Sequence, residues 1–464
     1  MRDRNAVRVT MTGTGEVGYS EGRVSMLSRV DLRGDRTDPT DRLPRATADV
    51  TAKVQAVVGE IIVDVQRHGD EALTRLTAEL DGYDGATGLE IPHTAVQEAV
   101  DSLDPAMRAS LERAVDQVRW FHERARPPDW EDERDGVRMG VRHQPIRRLG
   151  VYVPGGLAPL LSSAIMTVVP AHVAGVEELV LFTPPNPDGS VNQSILAAAE
   201  LAGGVDRIFC VGGAQAVAAA AYGTASVPRC DKIVGPGNAY VAEAKLQVFS
   251  AGACGIDLRA GTTEVAVIAD DAADPRLVAA DLIGQAEHDP MVASILITPS
   301  EGLAAAVDAA LDGLIASTKH SDRIITALQG QGAAVLTDDL DHAVEVADAY
   351  AAEHLEIHTE DPDTVAAKVR FAGGIFIGPY TPVSVGDYGA GPNHTLPTGG
   401  AARFTGGLRT DDFLVPVNWV AYDRDTLTDF AGDVARLAYA EDMPAHAQAV
   451  TVRFDDAQGR EAEK

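Results

Sequence analysis

A glutamate and a histidine stand side by side as Glu353 and His354, where a predicted helix gives way to the apolar run HLEIH. A carboxylate and an imidazole can both accept and return protons near neutral pH. At a helix-to-strand junction on the edge of a sheet, both side chains can be aimed at one cleft. The pair is a candidate for general acid–base chemistry, and a solvated turn is the alternative interpretation.

The segment Gln285-Ala-Glu-His288 ends a predicted helix that begins near Pro275. Residues three positions apart share a helical face, so Gln285 and His288 can converge on one metal ion. The alternative is a polar helix end, where the histidine interacts with the helix dipole. The spacing alone favours this alternative.

Two further segments contain polar residues that could reach a ligand. The glycine-rich stretch VSVGDYGAGPNHTLPTGG contains Asp387 and His394, and its small residues would let the backbone approach a ligand closely. A mobile surface turn has the same composition. Glu441 and His446 lie in YAEDMPAH near the end of the sequence, where the local pattern favours two exposed residues.

Glycine-rich turns follow several predicted strands, in VPGG, VGGAQ and GPGN. Backbone amides at such turns can bind the phosphates of a dinucleotide where a helix begins. None of the turns has the G-x-G-x-x-G spacing, so a nucleotide site and a simple tight connection are equally compatible with them.

The cysteines Cys210, Cys230 and Cys254 form no C-x-x-C pair, and their odd number argues against a disulfide framework. We therefore expect a reducing cytoplasm, and a metal held mainly by histidine and oxygen ligands. Cys210 or Cys254 could attack an aldehyde, but neither has a base beside it in the sequence, which favours buried, unreactive thiols.

The elements that must position these residues follow from the apolar spacing. Helical periodicity covers residues 48–80, interrupted at Gly69, and residues 94–126, ended by Pro127-Pro128. From Arg147 onward, short apolar strands alternate with helices, which predicts an α/β fold with two parallel sheets. The last 60 or so residues are less regular, with a helix predicted over residues 427–439.

Length and charge exclude several classes of protein. A chain of 464 residues favours two or three domains. With 39 basic and 69 acidic residues, the net charge of −30 makes nucleic acid an unfavourable partner. No apolar run reaches the roughly 18 to 20 residues of a membrane-spanning helix, and no secretory signal is recognised, so we expect a cytoplasmic protein without a membrane partner.

Seven motifs follow one another along the chain: GVYVPGG, GGAQAVAAAAYG, KIVGPGNAYVAEAK, DLIGQAEHD, AEHLEI, VGDYGAGPNHTLPT and a terminal E-x-x-x-x-H. In their order and wording they resemble the histidinol dehydrogenase family, and the resemblance covers about residues 47 to 455. The resemblance implies a homodimer of subunits with two incomplete Rossmann-like domains, one inserted in the other, a helical N-terminal region, and an exchanged C-terminal tail. The implied parts are a flexible leader (1–46), a larger catalytic domain (47–151 and 262–408), a smaller NAD-binding domain (152–261) and a dimerisation tail (409–464).

The resemblance also implies a role for individual residues. Zinc, one per subunit, would bind Gln285, His288 and Asp387, with His446 of the partner subunit as the fourth ligand. Glu353 and His354 would be catalytic. The substrate contacts would be the zinc ligands and His354 together with Thr263, His394 and Glu441, and the NAD contacts would be Tyr152, Gln215 and Asn238. The chain departs from the family pattern at Thr263, where serine is frequent, and at Asp289, where glycine is common.

The implied reaction is the zinc-dependent, four-electron oxidation of L-histidinol through L-histidinal to L-histidine with two NAD, the last steps of histidine biosynthesis. A related zinc and NAD enzyme could instead oxidise another polar amino- or sulfo-alcohol. A zinc hydrolase would use Glu353 to activate water without NAD. A non-catalytic binding protein is the remaining alternative, because a fold does not determine function.

Overall fold

The structure, a computed structural model, describes residues 25–45, 52–86, 88–155, 160–258 and 261–454. It also describes the backbone of two antiparallel strands, β1 (Val7–Met11) and β2 (Val17–Glu21). The described residues form two compact units: the larger holds those up to Ala125 and Ile146–Phe413, and the smaller holds Arg126–Pro145 and those from Leu414 onward. Among the described helices, none has both the length and the apolar character needed to cross a membrane.

Part of the predicted leader belongs to the larger unit. Strand β3 (Ser28–Asp31) pairs in parallel with a strand some 300 residues later, and the flanking Leu27 and Leu32 are buried. A four-residue strand offers too few positions for periodicity to identify it. The expectation of a flexible leader over residues 1–46 is therefore corrected for residues 25–45.

Four helices follow: α1 (Ala52–His68), α2 (Asp70–Asp81), α3 (His93–Asp101) and α4 (Pro105–Ala125). The predicted break at Gly69 is confirmed, and the φ of Gly69, 53°, lies in the region that glycine adopts readily. The second predicted helical region is two helices, because the chain turns just before Pro105, whose ring suits the first turn of a helix. Strands β4 (Trp130–Arg134) and β5 (Val137–Pro145) then pair antiparallel in the smaller unit.

A five-stranded sheet occupies residues 148–256 of the larger unit. Its elements are β6 (Arg148–Tyr152), α5 (Leu161–Ala174), β7 (Glu178–Thr183), α6 (Gln193–Leu201), β8 (Arg207–Cys210), α7 (Gly213–Tyr222), β9 (Lys232–Val234), α8 (Ala239–Ser250) and β10 (Gly255–Ile256). All strands are parallel, in the order β10-β9-β6-β7-β8. The strand order changes direction between β6 and β9, where α/β sheets commonly bind ligands.

A six-stranded parallel sheet forms the rest of the core. Its elements are β11 (Glu264–Ala269), α9 (Pro275–Ala286), β12 (Ala293–Thr298), α10 (Glu301–Ile315), α11 (Ser321–Gln331), β13 (Gly332–Leu336), α12 (Leu340–Tyr350), β14 (His354–His358), α13 (Pro362–Ala366), β15 (Gly374–Ile377) and α14 (Val383–Tyr388). The order is β15-β14-β11-β12-β13-β3. Every residue of β11, β12, β13 and β14 is buried, as expected for a parallel sheet covered on both faces. The prediction of an α/β fold with two parallel sheets is confirmed.

The smaller unit is completed by β16 (Leu414–Ala421), α15 (Arg424–Ala440) and α16 (Pro444–Thr451). Strand β16 pairs antiparallel with β5 across more than 260 residues of sequence. The predicted terminal helix is confirmed as α15, whereas β16 was not predicted. Within the chain, β16 buries only Leu414 and α15 only Ala438, so most apolar side chains of these two elements are exposed.

Candidate active site

His354 is the first residue of β14, Glu353 directly precedes it, and both are buried. Helix α12 ends at Tyr350, and Ala351 has a φ of 49°, a left-handed conformation that turns the chain from the helix into the strand. Thr263 directly precedes β11, the strand beside β14. The three residues therefore meet at the amino ends of two adjacent strands, opposite the carboxyl edge where α/β sheets usually bind ligands.

A chain of hydrogen bonds holds the carboxylate of Glu353. Gln285 Nε2 donates to Thr263 Oγ1 at 2.5 Å, and Thr263 Oγ1 donates to Glu353 Oε2. The backbone N–H of Glu264 donates to the same carboxylate oxygen at 3.0 Å. Three residues distant in sequence thus orient one carboxylate, and the amide nitrogen of Gln285 is used within this network.

The surroundings of His354 decide which of its ring nitrogens carries a proton. Its Nδ1 lies 3.2 Å from the carbonyl oxygen of Glu264 and 3.5 Å from Glu353 Oε2. Gln285 Nε2 lies farther from Nδ1, at 3.4 Å, and donates to Thr263 instead. Because the nearest neighbour is a carbonyl that can only accept, Nδ1 carries the proton in the neutral ring. The lone pair is then on Nε2, which can act as a base.

Burial changes the acidity of several groups around this pair. It raises the pKa of Glu353, an effect that the charge of His354 and the hydroxyl of Thr263 partly offset. Burial also raises the pKa of Glu264 to about 7, although Arg45 Nε lies 3.3 Å from its carboxylate. The pKa of His394 is lowered by burial, so this imidazole is neutral at neutral pH.

The predicted metal ligands of the larger unit lie on or just after two helices in contact, α9 and α14. Gln285 is buried near the end of α9, and His288 follows the helix with an exposed side chain. Asp387 lies on α14, with His394 Nδ1 3.9 Å from its carboxylate. Because the Gln285 amide nitrogen donates to Thr263, its carbonyl oxygen is available as a ligand, and a set of histidine, carboxylate and amide oxygen suits zinc.

Glu441 and His446, the remaining predicted site residues, lie in the smaller unit. Glu441 caps the end of α15, and His446 lies in α16. Both side chains are exposed. The larger unit alone therefore brings together Thr263, Gln285, Glu353 and His354, without these two residues.

A cavity of about 190 Å³ opens beside Asp387. Helices α4 and α5 supply most of its lining, with apolar side chains that include Leu111, Ile165 and Met166. Asp387 thus borders a mainly apolar space that a small molecule can enter.

The residues predicted to bind NAD lie at the carboxyl edge of the five-stranded sheet. Tyr152 ends β6, and its hydroxyl accepts a hydrogen bond from the N–H of Gly213 at 3.1 Å. Asn238 caps α8 by accepting from the N–H groups of Tyr240 and Val241. At Gly235, a Cβ would lie 2.1 Å from the carbonyl oxygen of Tyr152, so only glycine permits this approach between β6 and β9.

Gln215, the third predicted NAD contact, is buried in α7 and has a partner that sequence reasoning missed. Its Nε2 donates to Asp81 Oδ2 at 3.2 Å. Asp81 ends α2, 134 residues earlier in the chain, and burial raises its pKa. No local motif reveals this pairing, because it depends on how α2 packs against α7.

The three cysteines are buried free thiols. Burial raises the pKa of Cys210 to about 11 and that of Cys254 to about 12, and it raises the pKa of Cys230 further. Since the thiolate is the nucleophile, none of these residues is activated for attack on an aldehyde. The prediction of buried, unreactive thiols is supported.

The comparisons with known proteins agree over nearly the whole chain. The family model for histidinol dehydrogenase matches residues 43–454, a region that contains every predicted site residue. Histidinol dehydrogenases from Thermobifida fusca and Nocardia farcinica are 47% and 48% identical to the chain, over 93% and 92% of it and 98% of each relative. The crystal structure of histidinol dehydrogenase from Elizabethkingia anophelis superposes with a TM-score of 0.89 at 29% identity, covering 94% of this chain and 99% of that chain.

Proposed function

Because the chain belongs to the histidinol dehydrogenase family, whose members are NAD-dependent oxidoreductases, we propose that it oxidises L-histidinol to L-histidine at the site around Glu353 and His354. The observation that carries this assignment is the network at the amino edge of the six-stranded sheet. It fixes a carboxylate through Thr263 and Glu264 and leaves a histidine nitrogen free to accept a proton. An acid–base pair held in this way suits repeated proton removal from hydroxyl groups on one carbon atom.

The zinc ligands in this proposal are Gln285, His288 and Asp387, with His446 of the partner subunit as the fourth. The oxygen of Gln285, the exposed ring of His288 and the carboxylate of Asp387 fit the ligands that zinc accepts. When bound, the zinc would hold the imidazole and amine nitrogens of L-histidinol, which form the unreactive end of the substrate. The neutral ring of His394 beside Asp387 would contact the substrate, as would Glu441 of the partner subunit.

His354 acts as the base of both oxidations. When bound, NAD supplies the hydride acceptor. In the first oxidation, His354 Nε2 takes the hydroxyl proton while hydride leaves the alcohol carbon, and L-histidinal forms. In the second, the same nitrogen takes a proton from the hydrated aldehyde as the second hydride leaves, and L-histidine forms.

Glu353 acts between the two oxidations. Its carboxylate removes a proton from water that adds to the aldehyde, and the proton then passes to the aldehyde oxygen. The raised pKa of Glu353 makes the carboxylate a stronger base than an exposed glutamate. Thr263 keeps the carboxylate oriented, and its hydroxyl would be one of the substrate contacts.

The proposal extends to cofactor, domains and assembly. Tyr152, Gln215 and Asn238 would bind NAD in an inserted domain of residues 152–261, and residues 47–151 and 262–408 would form the larger catalytic domain. Residues 409–464 would be a tail exchanged in a homodimer, which the exposed apolar side chains of β16 and α15 support. The buried free cysteines are compatible with the reducing cytoplasm.

The direct test mixes purified, zinc-loaded protein with L-histidinol and NAD. Absorbance follows NADH, and chromatography quantifies histidine. The proposal expects two NADH for each histidine formed. NADH without histidine would mean that oxidation stops at L-histidinal and would contradict the four-electron reaction, and the absence of both products would refute the assigned reaction altogether.

A further inference from the structure

A cluster of three ionisable side chains lies behind the proposed catalytic pair. Asp281 is on α9, one helical turn before Gln285. Glu356 and His358 follow His354 at alternate positions of β14, so all three strand residues point to the same face of the sheet. Because α9 packs over that face, it places Asp281 opposite Glu356 and His358.

The ligand atoms of these side chains surround a common point. His358 Nε2 lies 3.4 Å from Asp281 Oδ2 and 3.6 Å from Glu356 Oε2, and all three atoms lie within 4.8 Å of one another. Such separations are longer than good hydrogen bonds. Four ligands held about 2.0 to 2.1 Å from a zinc ion lie roughly 3.3 to 3.4 Å apart, which is close to the separations observed here.

Two of the atoms are buried without a hydrogen-bond partner. Glu356 is 0% and His358 2% exposed, and within the described part of the chain neither Glu356 Oε2 nor His358 Nε2 has a partner. The other carboxylate oxygen of Glu356 accepts from the N–H of Val383 at 2.7 Å, which fixes the direction of the carboxylate. Buried polar atoms without partners are uncommon, because leaving them unpaired costs free energy.

The charges of the cluster are not balanced by the surrounding side chains. Two carboxylates face one imidazole, and among the described residues no lysine or arginine forms an ion pair with either carboxylate. Burial, followed by the charge of Glu356 and the contact between the two carboxyl groups, raises the pKa of Asp281. A positive charge is therefore missing, and either a proton or a cation can supply it.

We propose that Asp281, Glu356 and His358 bind a second divalent metal ion, separate from the zinc of the active site. One imidazole and two carboxylates form a ligand set that takes Zn²⁺ or Mn²⁺. Asp281 is partly exposed, with 13% of its side chain accessible, so an ion can enter from that side. The bound ion ties α9 to β14, and through Val383 it ties α14 as well.

These three elements carry Gln285, His354 and Asp387, so the second ion acts as a structural support for the active site. It contributes to the alignment of the metal ligands with the catalytic base, and it touches neither substrate nor NAD. This role follows from the position of the ion. Its ligand Asp281 lies one helical turn before Gln285, and its ligand Glu356 lies two residues after His354.

The test counts bound metal in four proteins after dialysis against Zn²⁺. The inference expects two zinc per chain in the unchanged protein and one in His358→Gln. In His288→Ala, which lacks a ligand of the proposed active-site zinc, it also expects one. The control His93→Gln changes an exposed histidine and should retain two.

Other zinc counts would decide between the two proposed metal sites. If His358→Gln binds as much zinc as the unchanged protein, the cluster holds a proton only and the inference is refuted. If His288→Ala binds as much zinc as the unchanged protein while His358→Gln loses it, the second site stands and the proposed active-site zinc fails.

A second measurement does not require altering the cluster. His288→Ala is titrated with Zn²⁺ while its unfolding temperature is followed. An ion that binds only the folded chain raises this temperature, and the rise should be complete at one zinc per chain. No rise in His288→Ala would overturn the inference even if His358→Gln failed to fold.

Discussion

His354 Nδ1 lies 3.2 Å from the carbonyl oxygen of Glu264, the first residue of the neighbouring strand. Since that carbonyl can only accept, the contact assigns the proton to Nδ1 and leaves Nε2 as the base. The contact comes from the parallel register in which His354 pairs with Val265. Strand pairing therefore sets the protonation state on which the proposed chemistry depends.

His354→Asn should slow both oxidations, because asparagine can donate to the Glu264 carbonyl but cannot accept the substrate proton. The expected loss is about 10² to 10⁴-fold in each step, the usual contribution of a general base. Stopped-flow measurement of NADH with L-histidinol and with L-histidinal checks both steps. The control is His93→Gln, and near-normal turnover of His354→Asn would assign the base to another residue.

Thr263→Val should impair the reaction more than Thr263→Ser. Valine removes the hydroxyl that accepts from Gln285 and donates to Glu353, whereas serine keeps it. In the valine variant the buried Gln285 amide loses its acceptor, and the Glu353 carboxylate is held only by the N–H of Glu264. An unpaired buried group costs about 1 to 3 kcal/mol, so oxidation of L-histidinal should slow by roughly 5- to 150-fold in the valine variant. Equal rates in the two variants would show that the hydroxyl does not position Glu353.

The cysteines should be unreactive in the folded protein. At pH 8 a thiol reagent should label none of the three until the protein is denatured, because burial raises their pKa well above that pH. Cys210→Ala and Cys254→Ala should both retain oxidation of L-histidinal. Loss of this step alone in either variant would instead indicate a covalent thiohemiacetal route.

The free energy of unfolding should fall in mild acid because His122 is buried as a neutral ring. Burial lowers its pKa from 6.5 to about 4, so the folded state holds a neutral ring that donates to Thr410. The unfolded state takes up a proton first, so stability is full above about pH 6.5 and falls as the pH drops towards 4. The loss is at most about 3 kcal/mol, at about 1.4 kcal/mol per pKa unit.

Denaturant unfolding of the unchanged protein and His122→Asn, measured between pH 7 and 4, isolates this contribution. Asparagine keeps a donor for Thr410 but does not titrate, so its free energy of unfolding should depend less on pH. Parallel pH profiles for the two proteins would contradict the assignment.

Local periodicity predicted much of the fold because the signals lie within single elements. The break at Gly69 and the alternation of strands and helices after Arg147 are of this kind. Strand β3 and strand β16 were missed, since each is defined by pairing with residues hundreds of positions away. A short strand with few apolar residues carries little information until its partner is known.

In the candidate site, too, local sequence identified some residues, while others depend on contacts between distant parts of the chain. Glu353 and His354 could be selected from their adjacency, while Gln285 and His446 were selected through the family motifs rather than local spacing. The cluster of Asp281, Glu356 and His358 was not predicted, although the alternation in HLEIH places its two strand residues on the face of His354. Asp281 joins them only through the packing of α9 over that face.

The central claim is that one site performs two oxidations, with Glu353 serving only the hydration between them. Glu353→Gln tests it most directly, because glutamine still accepts from Thr263 and Glu264 but cannot deprotonate water. In a single-turnover experiment with L-histidinol, the first NADH should form at a near-normal rate and the second should form at least tenfold more slowly. Equal slowing of the two NADH steps, or no slowing of either, would contradict the account.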